Sequence, residues 1–214
     1  MKYGFFFDVD DTLCATGVTH GEAYKTTLRM LGIDLQFFDY SKFSGMRTDA
    51  VFRILLPNAD EEAILSAVRI KRQIFKESVE NIKPMDGAIE ILEYLQDLGR
   101  KIFAVSSGSA SSVNATLEST KMTNYFDRII TCDSVKKTKP HADPYLYAIQ
   151  IADLNPINCI AIEDSETGIQ SALAANLDAV LISSNSHDWM AKYEITRYNT
   201  LELLKKTLEA GDKC

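Results

Sequence analysis

Tyr3-Gly4-Phe5-Phe6-Phe7-Asp8-Val9-Asp10-Asp11-Thr12-Leu13 decides the reading of this chain. A short aromatic run stops at a carboxylate, and a second carboxylate follows two positions later. The run is apolar, aromatic-rich and brief, which predicts a buried strand. The end of a buried parallel strand opens on a crevice, and ligands bind at that carboxyl end. Two aspartates there, followed by Asp11-Thr12, form a compact set of oxygen ligands of the kind Mg²⁺ takes. The same loop holds a candidate nucleophile and a candidate acid/base. Taken alone, the aspartates read equally well as a strand-ending turn or a helix cap. A calcium-binding loop is excluded: counted from Asp8, its sixth and twelfth positions need Gly and Glu, and here they are Leu13 and Thr19.

Working outward, residues from about Thr16 to Lys83 carry only helical spacing, as in Ile64, Val68, Ile70 and Ile74-Phe75. Breaks fall at Gly32, Pro57-Asn58 and Pro84. Beyond Pro84, helices and buried strands alternate. A helix over Gly87–Leu98 ends at Gly99, a natural helix stop. Strands are expected at Lys101–Val105, Arg128–Thr131, Cys159–Ile162 and Ala179–Ile182, with helices from about Ala110, over Pro144–Ile151 and over Gly168–Ala175. This alternation predicts a doubly wound, Rossmann-like parallel α/β core. An all-helical insert follows the first strand, placed to act as a lid. The expected division is a core of residues 1–15 and 85–214 and a cap of residues 16–84.

Composition narrows the function classes. The chain has 214 residues, 46% hydrophobic and 25% charged, with a formal net charge of −7. These are the proportions of an ordinary globular protein, and the negative charge speaks against nucleic acid as a partner. No membrane span is expected. The opening apolar run is cut at once by Asp8 and Asp10, so it does not read as a signal peptide. Cys14, Cys132, Cys159 and Cys214 are too widely spaced for a zinc site or a disulfide framework. Free thiols and a cytoplasmic location are therefore expected. Cys14 reads as a small buried residue.

Further polar residues close the other strands. Ser106-Ser107-Gly108-Ser109 offers hydroxyls and backbone N–H groups to a phosphate, although alone it reads as a plain helix cap. Glu163-Asp164-Ser165 places two acids where a buried strand ends. Lys139-Pro140 supplies a cation that could balance the acids and a phosphate.

In this chain order, the set closely resembles the haloacid dehalogenase-like hydrolase superfamily. It is nearest to the helical-cap branch of phosphoglycolate phosphatases, sugar phosphatases and β-phosphoglucomutase-like proteins. The stretches Val135–Tyr145 and Ile162–Ala175 carry the resemblance as well. It implies Asp8 as nucleophile, forming an aspartyl-phosphate, and Asp10 as acid and then base. It implies Ser106 as phosphoryl holder, with Ser107 and Gly108 beside it, and Lys139 as the bridge between phosphoryl group and Asp8. Mg²⁺ would be held by Asp8, the Asp10 carbonyl and Asp164, with Glu163 nearby. Asp10 would need a raised pKa to act as an acid. His20 matches a histidine that mutases use near the hinge, and reads equally as a cap-helix residue. Arg47, in the cap loop after Gly45, is a candidate substrate contact. Asp11 stands where many relatives have Gly, Ala15 where many have Asp, and Ser44 where mutases place a lysine. The expectation is a Mg²⁺-dependent phosphatase of a small phosphorylated metabolite, acting as a monomer. A phosphohexomutase is the first rival and a phospho-receiver domain the second.

Overall fold

The computed structural model describes residues 2–35 and 37–211. Among these residues, six strands form one parallel sheet in the order β3-β2-β1-β4-β5-β6. The strands are β1 (Gly4–Phe7), β2 (Lys101–Val105), β3 (Arg128–Ile130), β4 (Cys159–Glu163), β5 (Asp178–Ile182) and β6 (Thr196–Tyr198). The helices are α1 (Gly17–Met30), α2 (Thr48–Leu55), α3 (Glu61–Glu77), α4 (Ala88–Asp97), α5 (Ala110–Ser119), α6 (Asp143–Ala152), α7 (Glu166–Ala174) and α8 (Leu201–Gly211). The strand order reverses at β1, which pairs with β2 on one side and β4 on the other. That reversal is the switch point where doubly wound sheets bind ligands.

The aromatic run explains why β1 is central. Phe5 and Phe7 point into an apolar layer with Ile91, Leu92 and Leu95 of α4 and Leu201 and Leu204 of α8. Phe6 points the other way, into a layer with Tyr145 and Ala148 of α6 and Ile169 of α7. A strand with both faces covered needs apolar side chains at every position, and GFFF supplies them. Helix α4 stops as its sequence predicts. The Gly99 N–H donates to the Gln96 carbonyl and the Arg100 N–H to the Leu95 carbonyl, with Gly99 at φ +64°. This is a Schellman stop, in which glycine takes the left-handed position.

Helices α1–α3 have an apolar cluster of their own, built on Tyr24, Leu28, Val51, Phe52, Ile64 and Val68. Two segments run side by side between these helices and the sheet. The Ala15 N–H donates to the Lys83 carbonyl at 2.9 Å, and the Met85 N–H to the Leu13 carbonyl at 2.8 Å.

Two elements beyond β5 are absent from the sequence expectation. Strand β6 has three residues and no apolar run, so its pairing with β5 is what makes it a strand. Helix α8 carries Leu201, Leu204 and Leu208 at helical spacing, a pattern legible in the sequence. Among the described residues no helix is long and apolar enough to cross a membrane. Cys14, Cys132 and Cys159 are free thiols, and Cys214 lies outside the described residues.

Candidate active site

The carboxyl ends of β1, β2 and β4 bring the expected residues together around Lys139. Its ammonium lies 2.6 Å from Asp8 Oδ1, 2.5 Å from Glu163 Oε1 and 2.7 Å from the Val105 carbonyl. The side chains of Lys139 and Glu163 are wholly buried. Burial works against the lysine charge, but Asp8 and Glu163 outweigh it and hold its pKa above the ordinary value. Glu163 Oε1 also accepts the hydroxyl of Tyr145, while Oε2 is buried with no hydrogen-bond partner. A methyl group at Gly168 would overlap the Glu163 carboxylate. Glycine there is what allows α7 to pass so close.

Asp8, Glu163 and Asp164 each offer an oxygen within 4.8 Å of the others'. Asp164 accepts from Ser44 Oγ at 3.2 Å and from Thr12 Oγ1 at 3.5 Å. The pKa values of Asp8 and Asp164 are both raised well above the carboxylate range, chiefly by burial and then by charge. At Asp8 the Lys139 charge is the largest opposing effect, followed by the raising charges of Glu163, Asp164 and Asp10; at Asp164 the Glu163 charge outweighs that of Lys139. Three crowded acids against one lysine, with an orphaned buried carboxylate oxygen, fit a hard divalent cation with oxygen ligands. The Asp10 side chain lies outside this group, so only its carbonyl could join such a set.

Asp10 faces the other direction. Its Oδ2 accepts from Ser106 Oγ at 3.3 Å, and its Oδ1 lies 3.0 Å from His20 Nε2. His20 is therefore brought to the site. It stacks on Phe75 with ring centres 4.1 Å apart and lies 2.5 Å, at Nδ1, from the Lys71 ammonium. An ammonium only donates, so a charged Lys71 makes Nδ1 the acceptor and leaves the Nε2 proton for Asp10. Burial and Lys71 push the His20 pKa down, which keeps the ring neutral. Burial also pushes Asp10 up, but His20, Thr16 and Lys71 outweigh it and bring it to about 2. The expected raised pKa of Asp10 is not found in this state, because donors and a cation surround its carboxylate. Burial lowers Lys71 itself to about 7. A lysine in register with the apolar Ile64, Val68 and Phe75 of α3 was the sequence signal for this residue.

The residues of the expected phosphate loop lie beside this pair. Ser106 Oγ accepts from the Gly108 N–H at 2.9 Å, and Ser107 Oγ is buried without a partner. Asp11, at φ +60°, takes a left-handed position that glycine fills more easily. Its Oδ1 accepts from the N–H groups of Thr16 and Gly17 at 3.0 and 2.8 Å, so it caps α1. Gly45 brings the cap loop down onto the core. At φ +76° its absent Cβ would sit 2.6 Å from Ser165 Oγ. Arg47 is bound through Nε to Asp49 Oδ1 at 2.8 Å and lies within electrostatic reach of Cys132 and Asp133. Arg72, which no sequence pattern singles out, also reaches Cys132, and its Nε is buried without a hydrogen-bond partner.

Fold and site together define an α/β hydrolytic enzyme with its acidic centre at the switch point of a doubly wound sheet. The chain belongs to the haloacid dehalogenase-like hydrolases, whose sequence model matches residues 5–182. It is 30% identical to the fructose-1-phosphate phosphatase YqaB of Escherichia coli, over 83% of this chain and 94% of that protein. It is 26% identical to hexitol phosphatase A of the same organism, over 96% of this chain and 91% of that one. A β-phosphoglucomutase from Clostridium difficile has the same fold, with TM-score 0.85 and 21% identity, covering 100% of this chain and 98% of that chain. The chain is a phosphoric monoester hydrolase of this family.

Proposed function

We propose that this protein is a Mg²⁺-dependent phosphatase of a small phosphorylated metabolite that works through an aspartyl-phosphate. The observation that carries the reading is the buried Lys139 held between Asp8 and Glu163, with the Asp10–Ser106 pair alongside. Residues 16–84 act as the cap and residues 1–15 and 85–214 as the core. Asp8, Asp164 and the Asp10 carbonyl, with Glu163 beside them, would hold Mg²⁺. When bound, Mg²⁺ supplies positive charge for the phosphoryl oxygens.

The residues then divide the work. Asp8 attacks phosphorus with its carboxylate oxygen, the bond from phosphorus to the ester oxygen breaks, and Asp10 gives that oxygen a proton. Asp10 next removes a proton from water, whose oxygen attacks the phosphorus, and Asp8 is released as a carboxylate. Asp10 is ionised in the present state, and an anionic phosphoryl group beside it raises its pKa toward the acid form. Ser106, Ser107 and the Gly108 N–H hold the phosphoryl oxygens. Arg47 meets the substrate beyond the phosphate.

The cap loop favours water over a sugar hydroxyl as the second attacker. Ser44 stands where mutases place a lysine, and its hydroxyl is turned onto Asp164. A cap without that cation grips a bisphosphate less well, and water gains access. His20 is the residue that favours the mutase reading. The test is a panel of phosphorylated ketoses, hexitols and other small metabolites, with a generic aryl phosphate, followed for inorganic phosphate and for products. Steady phosphate release without a bisphosphate activator is expected. Conversion of β-glucose 1-phosphate to glucose 6-phosphate faster than phosphate release would establish the mutase instead.

A further inference from the structure

The Lys139 ammonium has three protons, and all three are committed: to Asp8, to Glu163 and to the Val105 carbonyl. It cannot donate to a phosphoryl oxygen until one of these partners is released. Asp8 is the proposed nucleophile, and the Val105 carbonyl is fixed backbone at the end of β2. Glu163 differs, because the same oxygen that meets Lys139 also accepts the Tyr145 hydroxyl.

We propose that Tyr145 is a positioning residue that holds Glu163 by its Oε1 and so frees Lys139 to turn a proton toward the phosphoryl group. The inference rests on the phosphatase reading for the phosphoryl group and on this chain's geometry for the rest. Tyr145 is fully buried at the first turn of α6. Its ring packs against Phe6 and lies 5.5 Å from the Lys139 nitrogen, so its hydroxyl is fixed from behind. Glu163 is fully buried too, and its other oxygen has no partner. Without Tyr145, release by Lys139 would leave Glu163 Oε1, a buried carboxylate oxygen, with no donor at all, which is unfavourable. Burial and the adjoining Glu163 raise the tyrosine pKa, so the hydroxyl stays a donor. On the α7 side, Gly168 packs so closely that any side chain there would overlap the carboxylate.

Tyr145→Phe keeps the ring and deletes the hydroxyl. It should lower kcat/KM about tenfold, the scale of one hydrogen bond to a charged group. The loss should be equal on the preferred substrate and on an aryl phosphate, because the effect is on the phosphoryl end. The decisive measurement is a double-mutant cycle with Glu163→Gln. If Tyr145 acts through Glu163, Tyr145→Phe costs nothing further in the Glu163→Gln background. If Tyr145 acts independently of Glu163 the two losses multiply, and if it merely fills the core phenylalanine replaces it without loss; either result overturns the proposal. The same cycle read by calorimetric binding of inorganic phosphate with Mg²⁺ present needs no turnover. A coupled binding cycle in a protein that hydrolyses no phosphomonoester would remove the phosphatase reading and leave this one standing. Multiplying losses in a working phosphatase would do the reverse. Should Glu163→Gln fail to fold, Tyr145→Phe alone decides. A uniform tenfold loss with an unchanged melting temperature supports the proposal, and a loss under twofold sinks it.

Discussion

Replacing Lys71 with methionine should make the protein more stable and less active, and the stability gain should depend on pH. Lys71 is 2% exposed, and burial brings its pKa from 10.5 to about 7. At about 1.4 kcal/mol per pH unit, keeping this lysine charged in the fold costs on the order of 4–5 kcal/mol at pH 7 and below. Its nitrogen lies 4.8 Å from the Tyr24 ring centre and 4.7 Å from that of Phe75. Two such contacts recover roughly 1–2 kcal/mol. Methionine has similar length and no charge, so the net stabilisation at pH 7 should be about 2–4 kcal/mol. Between pH 7 and 10.5 the unfolded chain holds a proton on this residue that the folded chain gives up. Wild-type stability therefore rises with pH across that window, and the advantage of Lys71→Met shrinks by about 2 kcal/mol between roughly pH 7 and pH 9. For a chain of this size the gap in melting temperature should narrow by roughly 5 °C. Turnover should fall on the order of tenfold, because His20 loses the donor that fixes its Nε2 proton on Asp10. Chemical denaturation of both proteins at about pH 7, 8 and 9 measures the effect. A variant that is no more stable than wild type at neutral pH, or whose advantage does not change with pH, would refute the assignment of Lys71 as a buried charge.

Three further outcomes are expected. Asp8→Asn should leave the fold intact and cut kcat by several orders of magnitude, since it removes the proposed nucleophile and keeps its shape; more than about a tenth of wild-type rate would exclude Asp8 from that role. Activity should vanish in excess chelator, return with Mg²⁺ and be inhibited by Ca²⁺, whose looser coordination misplaces the attacking carboxylate; full activity in chelator would remove the metal from the scheme. Arg47→Ala should raise KM several-fold on the preferred substrate and less on an aryl phosphate, because a guanidinium in the cap loop can meet a second anionic group or the phosphate itself; equal effects on both would leave it a cap-surface ion pair with Asp49.

The sequence determined the sheet strands before β6, the helical insert and the identity of the acids and the lysine. The reason is local. A both-faces-buried strand must be an unbroken apolar run, and the polar residue that ends it must lie at the crevice. Asp8, Ser106 and Glu163 are each legible from their own neighbours, and Lys139 from the Pro140 beside it. What only the tertiary structure decided is which side chains share a proton. The Lys71–His20 contact spans 51 positions; the place of Lys71 on an apolar helix face and the likeness of His20 to a mutase histidine mark each residue locally, but neither says that the two meet. Tyr145 lies 18 positions from Glu163 on another element, so its hydroxyl could be read only as a core aromatic. The low pKa of Asp10 has the same origin. An aspartate loop says nothing of its own charge state, which is fixed when α1 and α3 close around it and place a histidine and a lysine where water would otherwise be.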